Sequence, residues 1–146
     1  MKKIIYEDAG GVSIITPCEA ERLKDETDDE FASRIGRKDA PAGVPKLIVD
    51  ESSIPQDRTF RAAWKFTPQG VDHDINKCKV IAHEKRRLMR SAELAPLDDL
   101  ISKQIPGSNF QQIEAQRQVI RDKCAAVQTA IDAAQDMTGI KAALGL

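Results

Sequence analysis

The sequence predicts an α+β protein. Its first part is a small antiparallel sheet, made of a β-hairpin plus one or two short strands and carrying one helix. A C-terminal hairpin of long helices follows. Three observations predict this. Two β-branched runs flank a Gly-Gly pair near the N-terminus, apolar residues switch to helical spacing after Asp74, and a Pro-Gly turn divides the helical part in two. The expected units are residues 1–73, mixed α and β, and residues 74–146, a helical hairpin with a short terminal helix.

The hairpin strands are expected at 2–6 and 12–16. Gly10-Gly11 between them permits the positive φ of a tight connection, and Pro17, without an N–H, ends the second strand. Residues 19–30 hold seven carboxylates against Arg22 and Lys24. They read as a solvated loop followed by the charged first turn of a helix over 28–38, with Thr27 and Glu30 at capping-box spacing. Phe31, Ala32 and Ile35 form its apolar edge, Gly36 weakens it, and Pro41 with Gly43 marks its exit. The acidic run lacks the alternating ligands and fixed Gly of a calcium loop.

A third strand is expected at 46–50, then a loop at 52–57, where Pro55 biases Ile54 to extended geometry. Residues 58–66 hold three of the six aromatics. Phe60 and Trp64 share a face if this segment is helical; Phe60, Trp64 and Phe66 share one if it is extended. Residues 67–70 form a turn, and Val71-Asp72 a last brief strand.

Asp74 is a good N-cap for a helix whose apolar positions are Ile75, Cys78, Ile81/Ala82, Leu88, Ala92 and Ala95. It is expected to run to Ala95, with Pro96 kinking it or opening a second segment over 97–104. After the turn at 105–108, Ser108 or Asn109 caps another helix, striped by Ile113, Ile120, Val127 and Ala134 and flanked by Cys124 and Ile131. A short turn between two such helices makes them pack antiparallel. Asp136 or Thr138 caps a last turn carrying Ile140, Ala143 and Leu144.

Composition excludes several function classes. With 22 Lys+Arg against 23 Asp+Glu, the net charge of −1 does not suit a generic nucleic-acid binder. No apolar run approaches the roughly 18 residues that span a bilayer, and Glu7-Asp8 interrupts what would be a signal sequence. Three cysteines with no CxxC pair read as reduced thiols of a cytosolic protein, Cys78 and Cys124 acting as small hydrophobes on helices. His83-Glu84 has Arg87, not His, where a zinc-protease helix needs its second ligand. The chain also lacks a nucleophile elbow, a phosphate-cradling Gly loop and a Cys–His pair on one helix face. The expectation is a protein that is not an enzyme, with no catalytic residues, cofactor or metal.

Three groups of residues are candidates for binding. Residues 77–90 hold Lys77, Lys79, Lys85, Arg86, Arg87 and Arg90 against Glu84 alone. Lys79, Arg86 and Arg90 gather on one side of a helix, with Lys85 and Arg87 further round. The simplest reading is a solvated face. The sharper one is a surface for a phosphate ligand, for nucleic acid, or for the acidic strip 19–30 of another copy. Arg58, Phe60, Arg61 and Trp64 read first as aromatics anchoring the sheet to the helices, and secondly as a binding hot spot. The stripe Ile113, Ile120, Cys124, Val127 and Ile131 is either core or an oligomer surface, being wider than one partner helix covers.

The middle of the chain resembles a known class. Ile48-Val49-Asp50, Ser53-Ile54-Pro55-Gln56-Asp57-Arg58-Thr59-Phe60-Arg61-Ala62-Ala63-Trp64, His83-Glu84-Lys85-Arg86-Arg87, Leu97-Asp98 and Arg117-Gln118-Val119-Ile120-Arg121-Asp122 resemble small accessory proteins of tailed bacteriophages and prophages. The likeness covers residues 44–125. Its layout is similar to that of tail-fibre assembly proteins, although those carry further Trp residues and a Trp-Pro near their end, where this chain reads Ala142-Ala143-Leu144-Gly145-Leu146.

The resemblance implies a non-enzymatic protein made in the host bacterial cytoplasm, there or associated with the virion. It would act by protein–protein binding, as a tail or tail-fibre structural or assembly factor with a phage tail protein as partner; self-association, with itself as partner, is the expectation drawn from the width of the stripe Ile113 to Ile131. The alternative is a counter-defence protein that binds a host immune factor or sequesters an anionic nucleotide, for which Arg58 and Arg61 beside Trp64 would serve. A DNA-binding regulator is a weaker third reading, because no three-helix reading module is evident.

Overall fold

In a computed structural model the described residues are 1–103, 105–107 and 109–146; Gln104 at the end of the expected 97–104 segment, and Ser108 as turn residue or helix cap, lie outside them. The chain divides into two compact units, Met1–Asp74 and Ile75–Leu146.

In the first unit the two isoleucines of β1 (Lys2–Asp8) point to opposite faces of a sheet. β1 pairs antiparallel with both β2 (Gly11–Ile15) and β3 (Lys46–Asp50), giving the order β2-β1-β3. Ile4 lies opposite Ile15 and Ile48, Ile5 opposite Ile14 and Leu47. On one face Ile4 and Ile15 pack with Phe31, Ala32 and Ile35 of helix α1 (Asp28–Asp39). On the other, Ile5 packs with Ile54 and Trp64, surrounded by Val12, Ile14, Leu47, Val49, Phe66 and Val71.

The capping box forms at α1: the Thr27 side chain accepts from the Glu30 N–H at 3.3 Å, and the Thr27 N–H donates to the Glu30 carboxylate at 3.0 Å. Gly36, expected only to weaken the helix, is buried against β1. A Cβ there would stand 3.3 Å from Ile4 Cγ1, so the missing side chain is what lets the helix approach the strand.

The connection of the first hairpin differs from expectation. Asp8 pairs with Gly11, so the loop is Ala9-Gly10, with φ of 47° and 76°, and Gly11 already belongs to β2. A two-residue loop matching the strand twist needs positive φ at both positions.

The aromatic segment is neither all helix nor all strand. A 3-10 turn at Arg61–Ala63 precedes β4 (Trp64–Thr67), which pairs with β5 (Gly70–His73). Phe60 and Trp64 are buried, and Trp64 fastens the β4–β5 hairpin to the three-stranded sheet rather than the sheet to a helix.

In the second unit, α2 (Ile75–Ser102) is one helix that continues through Pro96. Pro96 offers no N–H to the Ala92 carbonyl, but both residues are exposed, so water can serve that oxygen. α3 (Phe110–Ala133) starts at Asn109, whose side chain accepts from the Gln112 N–H at 3.0 Å. The two helices run antiparallel. As the residue number rises along α2 it falls along α3, in Lys79–Asp132, Arg86–Cys124, Glu93–Lys123 and Asp98–Arg117. α4 (Met137–Leu144), capped by Asp136, packs on both helices and buries Ile140 and Leu144.

The apolar face expected on α2 is partly misplaced. Cys78 and Ala82 are buried, but Leu88 is 71% exposed and Ala92 and Ala95 also face solvent. Ten residues at about 100° each turn Leu88 roughly 80° away from Cys78. Position 86, one turn beyond Ala82, takes the place on the seam, and there the residue is arginine. Of the α3 stripe, Cys124 and Ile131 are buried, whereas Ile113, Ile120 and Val127 are half-buried.

Ala9 holds a left-handed conformation that costs an L-residue about 1 kcal/mol. Ala9→Asn, giving the preferred Asn-Gly loop, is expected to raise unfolding free energy by about 0.5–1 kcal/mol in urea denaturation. A loss of stability would show that the loop does not carry this strain.

Candidate protein-binding site

The acidic strip 19–30 is closed by its own unit. Glu19 and Asp28 both hold Arg22, at 2.7 Å each; Glu26 holds Arg34 at 2.8 Å and Glu21 holds Lys38 at 2.9 Å. Asp29 reaches Lys2 at 3.6 Å, and Glu30 is used in the capping box. Arg22 and Arg34 also lie over the Phe31 ring, at 4.7 and 5.4 Å from its centroid. Six of the seven carboxylates are thus engaged within this unit, and the strip is no ready-made partner for a basic surface.

Electrostatics follow this geometry. Hydrogen bonds from Arg34, helped by the Leu23 N–H and the Arg22 charge, bring Glu26 down to about 2. Arg22 lowers Glu19, Lys38 lowers Glu21, and the Thr27 N–H lowers Glu30.

At the aromatic segment Trp64 is 1% exposed, and its Nε1–H donates to His73 Nε2 at 3.1 Å. Arg61 lies 5.7 Å from the ring centroid and is exposed, as is Arg58; Phe60 is buried. The ring is committed to the core and presents no open face for a base to stack on.

The basic stretch of α2 splits in two. Lys79 donates to the Asp132 carbonyl at 2.7 Å. His83 Nε2 meets the Asp132 carboxylate at 2.9 Å, which places it on the hairpin seam rather than the open surface. Arg86 donates through Nη1 to Cys124 Sγ at 3.2 Å, while its buried Nε has no partner among the described residues. Arg87 and Arg90 remain exposed, with no hydrogen bond or ion pair among the described residues. Within the described residues no group of three His, Cys, Asp or Glu stands close enough to hold a metal ion, and no helix is long and apolar enough to cross a membrane.

Arg86 and Arg90 border a groove of about 240 Å³ in the helical unit. Met89, Ile120, Cys124 and Val127 supply its apolar floor, Ala142–Gly145 its end wall, and Glu93 and Lys123, paired at 2.8 Å, bridge α2 and α3 within it. The structure thus joins Arg86 and Arg90 to Ile120, Cys124 and Val127 of the α3 stripe and leaves Arg58, Phe60, Arg61 and Trp64 in the first unit. Sequence reasoning missed Met89 and Leu144 as lining residues. The groove exists because α4 stops where it does, and no local pattern on α2 or α3 signals that.

Glu26→Gln tests the strap. A carboxylate held below its ordinary 4.5 adds stability that is complete above that pH and lost as pH falls toward 2. The variant is expected to unfold at lower urea than the parent at pH 7, with the gap closing between pH 4.5 and 2. A gap independent of pH would show that the carboxylate contributes packing rather than charge.

Comparison of the chain with protein-family models, with curated proteins and with solved structures found no match.

Proposed function

We propose that this chain is a non-enzymatic accessory protein of tailed phages or prophages that works by binding protein, and that it self-associates through the outer half of its helical hairpin. The observation that carries the reading is the state of residues 83–123: among those described, none is buried. Met89, Leu100, Phe110 and Val119 are exposed there, and Leu94, Leu97, Ile101, Ile113 and Ile120 only half-buried. In a two-helix hairpin each helix has one neighbour, so apolar residues wider than one seam stay wet until another layer covers them.

Two helices of about 20 residues side by side present a face roughly 30 by 20 Å. That is the scale of the roughly 800 Å² per partner that a stable interface buries. The role in tail or tail-fibre assembly rests on the resemblance of residues 44–125, and residence in the host cytoplasm rests on it too.

The counter-defence reading draws on Arg87 and Arg90 as free cations for an anionic partner. Its nucleotide-sequestering form has less support, since stacking on Trp64 would require the ring to leave the core.

Sedimentation equilibrium tests self-association. The expected result is a particle of twice 16.1 kDa or more at micromolar concentration. A 16.1 kDa species at every concentration up to millimolar overturns it.

A further inference from the structure

β3 ends the sheet order β2-β1-β3, and among the described residues no further strand pairs with it. The Pro45 carbonyl accepts from the Glu7 N–H at 3.3 Å, and the Glu51 N–H donates to the Met1 carbonyl at 3.2 Å, so both residues turn their backbone groups to β1. At the strand period of two Leu47 and Val49 do the same, and Lys46, Ile48 and Asp50 turn theirs to the open edge. Of these outward groups the Asp50 carbonyl accepts from the Ser53 hydroxyl at 2.7 Å, which leaves it a second lone pair.

Exposed edges are commonly blunted by a charge or a proline in the strand. Here the N–H that Pro45 lacks belongs to the β1 side, the centre of the strand is Ile48, 38% exposed, and the charges stand at the two ends. Lys46-Leu47-Ile48-Val49-Asp50 laid against itself in the opposite direction sets Lys46 opposite Asp50, Leu47 opposite Val49 and Ile48 opposite itself. One two-fold axis through Ile48 therefore matches the whole strand, each pair occurring twice. In that register the outward-turned residues are the hydrogen-bonded pairs, so Lys46 exchanges both backbone bonds with Asp50, and Ile48 with its own copy.

The side chains agree with this register. Residues directly opposed across antiparallel strands share a face. Lys46, Ile48 and Asp50 lie on the α1 side, where Ile48 stands opposite Ile4, and the half-buried Leu47 and Val49 lie on the Trp64 side. The Lys46 ammonium donates to the Gly36 carbonyl at 3.2 Å and the Asp50 carboxylate meets Lys2 through Oδ1 at 3.1 Å, so each keeps a donor or an oxygen for the opposite copy. Beside Ile48 a cleft of about 680 Å³, bordered by Leu23, Ser33 and Arg37, leaves room on the α1 face for the facing isoleucine.

We infer that β3 is a docking edge for a second copy of this chain, added antiparallel about a two-fold axis at Ile48, so that the sheet runs on from one copy into the other. A strand of any sequence finds the same backbone groups. The end-for-end charge match of Lys46 with Asp50, enclosing apolar pairs, is what selects this chain's own copy. The pairing goes beyond the hairpin association proposed above and does not depend on it, since it uses Met1–Asp74 alone.

Single cysteines in the full chain, in a Cys18→Ser background, test the register. Ile48→Cys chains are expected to form a disulfide-linked dimer on mild oxidation, because opposed residues of a hydrogen-bonded pair stand about 5.5 Å apart at Cα. Lys46→Cys or Asp50→Cys alone is expected not to link, like positions lying about 14 Å apart along the strands, whereas an equimolar mixture of the two does link. Added to the Ile48→Cys chain, Lys46→Asp or Asp50→Lys sets like charges opposite each other at both ends. Each is expected to raise the concentration needed for half-maximal linking about tenfold or more, with circular dichroism unchanged, and K46D/D50K together to return it to within about threefold. A parent that stays at 16.1 kDa and whose Ile48→Cys form does not link overturns this pairing and the hairpin association together. A heavier parent whose Ile48→Cys form does not link, single charge variants that link like the parent, or Asp50→Cys chains that link as readily as the mixture overturn the edge pairing and leave the hairpin surface standing. Ile48→Cys chains that link, with charge variants that sediment at 16.1 kDa, support the edge and overturn the hairpin.

Discussion

The first unit depends on β1 being paired on both edges and covered on both faces. A strand in that position needs apolar residues at consecutive places, and Ile4-Ile5 meets the need with one side chain for each layer. Both are essentially fully buried, and burial of an isoleucine contributes about 1.5–3 kcal/mol, so this dipeptide ties α1 to one side and the Trp64 hairpin to the other. Gly36 belongs to the same contact, since a Cβ there would stand 3.3 Å from Ile4 Cγ1, closer than packed side chains ordinarily stand. The salt-bridged strap of residues 19–28 is secondary to it. Exposed pairs of this kind contribute little singly, but six carboxylates on four cations and a cap fix the path of a loop that has almost no apolar residues of its own.

The second unit is built on the opposite balance. Its seam is narrow, with Cys78, Ala82 and Cys124 as the buried residues between α2 and α3, and the larger Ile131, Ile140 and Leu144 gathered where α4 packs. Small seam residues bring the helices close but bury little area. Charged side chains do the rest of the joining: Lys79, His83, Arg86, Glu93 and Asp98 all reach across to α3. Such a hairpin is held in register by polar contacts and is short of apolar burial past Arg86.

What could be read from the sequence was what depends on neighbours in the chain. Strand alternation and the Thr27–Glu30 box are local and stand in the structure where the residues put them, and of the alternatives the sequence leaves open for the caps of α3 and α4, Asn109 and Asp136 are the ones used. The misses come from longer range. Leu88 is apolar and reads as part of the buried face, while the seam position nearby is filled by Arg86, whose head finds Cys124. Gly10-Gly11 suggested the loop, yet the pairing of Asp8 with Gly11 moved the strained position to Ala9. The groove depends on the end of a helix distant in sequence from the floor it walls.

The charge pattern shows most plainly how folding changes a sequence-level argument. Read along the chain, an acidic block at 19–30 and a basic block at 77–90 look made for each other across two copies. In the structure the acidic block has already met Arg22, Arg34, Lys38 and Lys2, and the basic block has given Lys79 and Arg86 to the hairpin seam. A block that is neutralised at home has nothing to gain from a distant partner except exchange, because breaking an existing pair cancels the attraction of a new one. What counts for association is the residue left over. On α2 those residues are Lys85, Arg87 and Arg90, which make no hydrogen bond or ion pair among the described residues.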